Sequence, residues 1–192
     1  MYSLPTTVTV GDEQYKIRNG GDFRMVLDCF AALQDNELDT SYRILTALII
    51  FYEKFSDISD FAAEKNTKDL VKEMFLFMNG GQAEPDNAPA RPRVINWEKD
   101  SQIICAAVNK VANQEIRALP HLHWWTFLGY YMSVGESVLS TVVSIRDKIA
   151  RNKKLEKWEK DYRRDNPHYF VTEQDERAKE MEDYLRKLWK KE

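Results

Sequence analysis

The chain has 192 residues, 43% of them hydrophobic and 31% charged, which is enough apolar material for a sizeable core and excludes wholesale disorder. Its 28 Lys+Arg against 31 Asp+Glu leave a formal charge of -3, which speaks against a protein built mainly to coat nucleic acid. The longest apolar stretch, Ile44 to Tyr52, is interrupted by Thr46 and is far shorter than the roughly 20 residues that cross a bilayer. The N-terminus has no basic segment followed by an apolar one, so neither a membrane span nor a signal peptide is expected.

The first element is a hairpin. Val8 and Val10 alternate with polar neighbours, Gly11-Asp12-Glu13-Gln14 supplies a turn, and Tyr15 and Ile17 resume the alternation. An isolated hairpin is marginal in water, so its apolar face is expected to pack on the helices that follow. Asn19-Gly20-Gly21 closes it, and Asp22 is placed to cap a first helix carrying Phe23, Val26, Leu27, Phe30 and Leu33 at helical spacing. Asp39 and Thr40 open a second helix with Tyr42, Leu45, Leu48, Ile49 and Tyr52 on its apolar side, and a third is expected from about Ser59 to Met78.

Residues 79–93 then read as a linker, since this Pro- and Gly-rich run cannot bury enough surface to offset the entropy of ordering it. Residues 1–90 hold 8 Lys+Arg and 15 Asp+Glu, a net of -7, whereas the rest holds 20 and 16, a net of +4. That asymmetry suits head-to-tail self-association or front-to-back docking.

Beyond the linker, Ser101 to Ala118 carries Ile104, Ala107, Val108, Val111 and Ile116 and reads as a fourth helix, capped by Asn96 or Asp100. Leu122 to Ile149 has two apolar stripes, one through Trp125, Leu128, Met132 and Leu139, the other through Trp124, Phe127, Tyr131, Val138 and Ile145. It therefore reads as one central helix covered on both sides. From Arg146 to Arg164 there are 9 basic and 4 acidic residues, with Leu155, Trp158 and Tyr162 at helical spacing, a basic amphipathic helix that Asn166-Pro167 should end. Thr172-Glu173-Gln174-Asp175 resembles a capping box for a last helix with Ala178, Met181, Leu185 and Leu188 as a narrow stripe, a pattern that often seeks a partner helix. The expected architecture is mainly α: helical bundles with a short N-terminal β-hairpin and long charged C-terminal helices. The chain divides into 1–78, a linker at 79–93, a helical region at 94–170 and a tail at 171–192.

Few constellations carry chemistry. His121 and His123, two residues apart, point to different sides of a helix, and no further ligand pattern completes a tetrahedral metal set. His123 is better read as capping the helix that Trp124 begins, or as bonded to a backbone carbonyl. Cys29 and Cys105 sit in apolar helical runs and read as buried, inert thiols of a reducing cytoplasm. Asn19-Gly20-Gly21 lacks the spacing of a phosphate loop, and the carboxylate pairs Asp57/Asp60 and Glu180/Asp183 lie on solvated faces. Neither catalysis nor a metal or cofactor is expected. Lys153, Lys154, Lys157, Lys160, Arg163 and Arg164 could meet phosphates with Trp158 or Tyr162 stacking on bases. The interleaved pairs Glu156-Lys160 and Glu159-Arg163 should neutralise part of that field, leaving a solvated face around a Leu155/Trp158/Tyr162 core stripe.

The runs Ile95-Asn96-Trp97-Glu98-Lys99-Asp100, Ile103 to Ala107 and above all Leu122-His123-Trp124-Trp125-Thr126-Phe127 resemble the bacteriophage family called gene product fifteen. The resemblance continues through Ser144-Ile145-Arg146 and Lys153-Lys154-Leu155 to Asn166-Pro167, and at the front it includes Gly21-Asp22-Phe23-Arg24. It covers most of residues 7–167, and its most specific part is His123, Trp124, Trp125 and Phe127, because His and Trp are rare.

That family is encoded in the tail modules of long-tailed phages and prophages, near the tape-measure gene. The resemblance implies a non-catalytic tail assembly chaperone that coats the tape-measure protein until tail-tube subunits polymerise. The product would act in the host cytoplasm during assembly and be absent from the mature virion. The expected partners are the tape-measure protein, the tail-tube protein and further copies of this chain, with neither membrane nor nucleic acid among them. The candidate partner-binding residues are Lys153, Lys154, Lys157, Lys160, Arg163 and Arg164, together with Met181, Leu185 and Leu188 of the tail. The alternatives are a structural virion component, such as a connector or tail completion protein, and a nucleic-acid-binding accessory protein acting through Arg146 to Arg164.

Overall fold

The computed structural model describes residues 3–35, 37–62, 64–83 and 94–170. The expected tail helix, with Met181, Leu185 and Leu188, and residues 84–93 of the linker lie outside these. The described residues are mainly α, with one two-stranded antiparallel sheet. The chain forms two compact units, one of residues 1–91 and 96–137, the other of residues 92–95 and 138–192.

In the first unit β1 (Thr7–Val10) pairs with β2 (Glu13–Lys16) in the register Val8↔Tyr15. Gly11, with φ +59°, is the first of the two turn residues, where a tight hairpin requires a backbone that only glycine adopts without strain. Tyr15 and Ile17 are each 1% exposed, so the period-two pattern does point one hairpin face into the core. Tyr15 meets Tyr52 edge-on and stacks on Phe55. Lys54 bridges Glu13 and Glu64 at 2.8 and 2.9 Å, and this tethers the hairpin to the segment after α2.

Helix α1 (Phe23–Gln34) starts at Asp22, whose carboxylate accepts the Arg24 N–H at 3.0 Å. Helix α2 (Thr40–Phe51) packs closely on α1 and buries Ala47, Leu48 and Phe51. Tyr42 was expected on its apolar side, but it is 51% exposed, in a first turn whose residues 40–42 are all exposed. Arg18 closes the other end of α2, donating to the carbonyls of Ile49 and Ile50, which a helix C-terminus leaves unbonded, and to those of Tyr52 and Phe55 just beyond it.

The expected helix from Ser59 to Met78 is two elements. A 3₁₀ turn (Ile58–Ala62) is followed by α3 (Thr67–Met78), because the Asp57 and Asp60 carboxylates bond backbone N–H groups nearby and hold a turn instead of a helix. Helix α3 ends in a Schellman motif, with Gly81 N–H bonded to Leu76 O, Gly80 N–H to Phe77 O and Gly80 at φ +69°.

Helix α4 (Ser101–Ala112) stops short of the expected Ala118. Asn113 takes the left-handed conformation (φ 52°), and the Asn109 side chain accepts the Ile116 N–H, turning the chain into a 3₁₀ turn at Ile116–Ala118. Asp100 occupies the cap position, but its carboxylate accepts the Asn96 N–H; Asn96 in turn accepts from Glu98 and Lys99.

The long central helix expected from Leu122 to Ile149 is broken as well. Helix α5 (Trp124–Met132) ends where the Ser133 hydroxyl bonds back to Gly129 O, and α6 (Val138–Ala150) begins five residues later in the second unit. Ser133, Gly135 and Ser137 favour the interruption, since none is a strong helix former. Met132 and Val138, which the stripes placed inside, are 71% and 47% exposed.

In the second unit the expected helix Arg146 to Arg164 is interrupted too. Helix α6 closes with a Schellman motif at Asn152 (φ 54°), residues 153–156 run without regular structure, and α7 spans Lys157–Asp165. An ionic contact joins α6 to α7. Glu159, 1% exposed, pairs with Lys148 of α6 at 2.6 Å and also accepts the Glu156 N–H. Arg146 donates to Val94 O and Tyr169 O, and Tyr162 meets Phe170 edge-on.

Candidate functional site: a His-Trp-Trp clasp and a basic surface

The residues His123, Trp124, Trp125 and Phe127 come together at the start of α5, inside the first unit. His123 is the N-cap: its Nδ1 accepts the Trp125 N–H at 3.1 Å, and its Nε2 lies 2.9 Å from Pro5 O. An accepting Nδ1 places the proton on Nε2, so the neutral imidazole donates to Pro5 and pins the lead into the hairpin. Burial holds the imidazole below its usual pKa, and the Pro5 contact and Asp22 oppose that shift only in part. This keeps the neutral tautomer that the cap needs.

The two indoles act on another helix end. Trp124 Nε1 donates to Met78 O at 2.8 Å and Trp125 Nε1 to Phe77 O at 2.9 Å, which satisfies carbonyls at the C-terminus of α3. Trp124 is 1% exposed, stacks on Phe127 and is met by Phe30 and Trp97, while Phe127 stacks on Phe23 at 4.9 Å. Asp22 completes the clasp. Besides capping α1 it accepts the Leu122 N–H at 2.9 Å and pairs with Arg24, whose guanidinium continues to Leu119 O at 2.8 Å. The Phe23 N–H donates to Leu122 O. One buried carboxylate thus joins the start of α1 to the approach of α5, about a hundred residues away along the chain.

Gly21 sits in the crook of this arrangement with φ +78°, and a Cβ there would fall 2.7 Å from Phe77 Cζ and 3.0 Å from His123 Nε2. Gly21-Asp22-Phe23 and His123-Trp124-Trp125 are therefore the two halves of one packing unit. Arg18 and the junction between Asp22 and Leu122 escape a reading of sequence, which carries no local signal for contacts this far apart. His121 is exposed, with Nε2 3.2 Å from Asn19 O, so the two histidines engage different backbone carbonyls.

The thiols are suppressed as nucleophiles. Burial pushes Cys29 up to about 12 and raises Cys105 as well. An open depression of about 520 Å³ is lined by residues that include Arg18, Asn19, Asp22, Arg24 and Asp28, but both of its guanidiniums are engaged with backbone carbonyls.

The second candidate region lies on the second unit. Lys153 and Lys154 are in the link before α7, and Lys157, Lys160, Arg163 and Arg164 are on α7; all six are exposed. Trp158 was expected in a core stripe but is 56% exposed, because the buried side of α7 is set by Glu159. The expected neutralisation also differs. Glu159 is held by Lys148 rather than Arg163, Asp161 and Asp165 both bind Arg164, and Asp147 binds Arg151. Lys153, Lys154, Lys157, Lys160 and Arg163 have no ion-pair partner among the described residues.

The fold and this clasp define a mainly α protein in which one histidine and two tryptophans tie its own helix ends together. Residues 1–170 match the family model described as Bacteriophage Gp15 protein, and the chain belongs to that family. The match takes in the hairpin, the clasp and the basic α7, and it ends where residues 171–192 begin. Comparison with curated proteins and with solved structures returned no match.

Proposed function

We propose that the protein is a non-catalytic tail assembly chaperone that binds the tape-measure protein during phage tail morphogenesis. The observation that carries this reading is family membership over residues 1–170, which the resemblance described above ties to tail modules. Two features of the molecule support the non-catalytic part. His123 is held in one neutral tautomer by two backbone groups, and both thiols are raised by burial, so this imidazole and both thiols are committed to the core. Phe75 and Met132, 40% and 71% exposed, offer apolar contact to a long amphipathic partner such as a coiled-coil-forming tape measure. The protein works in the host cytoplasm while tails assemble and is left out of the finished particle.

The test is co-expression with a tape-measure fragment from the same phage, followed by size exclusion with light scattering. A soluble complex of defined mass that dissociates when tail-tube protein is added is the expected result. A fragment that stays insoluble, together with the protein present at fixed copy number in purified virions, would overturn the reading in favour of a structural component.

A further inference from the structure

We propose that the basic surface around α7 docks on the acidic corner between α1 and α2 of a second copy of this chain, so that copies join head to tail. The proposal stands independently of the tape-measure reading. It starts from the unbalanced charge on α7. Because Glu159, Asp161, Asp165 and Asp147 are engaged by Lys148, Arg164 and Arg151, the cations of Lys153, Lys154, Lys157, Lys160 and Arg163 face solvent uncompensated by an ion pair. Beside them Trp158 projects with 56% of its surface exposed, a large amphipathic side chain that enriches protein interfaces.

The complementary surface is on the same chain. The first unit holds 12 Lys+Arg against 19 Asp+Glu. At its α1–α2 corner Asp35, Glu37 and Asp39 have no ion-pair partner among the described residues; Arg43, the nearest cation in sequence, turns its Nε to Leu38 O at 2.7 Å. Asp39 and Tyr42, three residues apart at the start of α2, share a face, and Tyr42 is 51% exposed. Each surface thus combines an exposed aromatic ring with an excess of charge of one sign, five cations against the exposed Glu156 around α7 and three carboxylates at the corner, and the signs are opposite. Nucleic acid is the poorer occupant of α7, because the same chain carries a net charge of -3 and its larger unit is acidic. A contact between two different patches is heterologous, so it propagates into a ring or an open filament rather than stopping at a two-fold dimer.

The experiment uses the full chain and two charge-reversed variants, Lys157→Glu/Lys160→Glu and Glu37→Lys/Asp39→Lys, measured by sedimentation at low and high salt. The wild type should gain mass with concentration and lose it as salt rises. Each variant should keep the wild-type circular dichroism spectrum and self-associate about a hundredfold more weakly, because like charges then face each other. Mixing the two variants should restore association that neither shows alone, because the intact α7 of one meets the intact corner of the other and the reversed α7 meets the reversed corner. A wild type that stays monomeric at low salt, or oligomers indifferent to both reversals, would overturn the proposal. So would salt-sensitive binding of a duplex DNA probe that Lys157→Glu/Lys160→Glu abolishes while self-association is unchanged.

Discussion

Trp124→Phe isolates what one indole N–H does for this fold. The ring stays aromatic, so contacts with Phe127, Phe30 and Trp97 are largely kept, but the donor to Met78 O is lost. That carbonyl ends α3, and the bond is buried, so water does not replace it readily; a buried acceptor left unpaired costs about 1–3 kcal/mol. The smaller ring leaves a void in a site that is 1% exposed, which adds about 1 kcal/mol. The expected loss is about 2–4 kcal/mol, or roughly 5–15 °C in Tm for a chain of this length. Urea and thermal unfolding followed by far-ultraviolet circular dichroism would measure it, with the urea slope checked for constancy. Trp125→Phe is the control. Trp125 is only half-buried, and Phe77 O also accepts from Gly80 N–H, so its loss should stay under about 1 kcal/mol. Equal losses at the two positions would refute the contrast between the two bonds, and no measurable loss at Trp124 would refute the clasp as a source of stability.

Stability should also fall in mild acid through His123. Burial lowers its pKa in the folded state, so the unfolded chain binds the proton more readily; the contribution is complete above about 6.5 and is lost as pH falls from there through the lowered value. His123→Asn keeps a capping side chain without a titrating ring, and a plot of Tm against pH between 7.5 and 5 should be flatter for it than for wild type; parallel plots would count against the assignment. Gly21→Ala should cost about 2–4 kcal/mol, combining a left-handed backbone with a Cβ 2.7 Å from Phe77, whereas Gly129→Ala, with open space around its Cβ in α5, should be neutral or gain about 0.5–1 kcal/mol. Chemical denaturation of the pair would check the contrast, and similar effects at both glycines would refute it.

The parts of the fold legible in the sequence are those whose cause is local. Alternation of Val8, Val10, Tyr15 and Ile17 about Gly11 marks the hairpin, Asp22 marks the start of α1, and Thr40 marks the start of α2, because turns and caps are made by residues a few positions apart. Helix ends were less legible. The apolar period runs on through Ser133 to Ser137 and through residues 151–156, while the chain leaves the helix there through a back-bonded serine, an asparagine in the left-handed region and the pull of Lys148 on Glu159. A hydrophobic stripe reports which residues can face a core, not where the helix carrying them stops.

The sequence by itself determined the class of the protein and its family, since composition, period and the rare His123-Trp124-Trp125 run are properties of the chain alone. Only tertiary structure decided what that run does. The partners of His123 and the two indoles are the carbonyls of Pro5, Phe77 and Met78, and every residue has a carbonyl, so no side-chain pattern could single them out. The same holds for α7. Its sequence is a mixture of charges, and the cations became an uncompensated surface because folding paired Glu159 with Lys148 across two helices instead of with Arg163 along one.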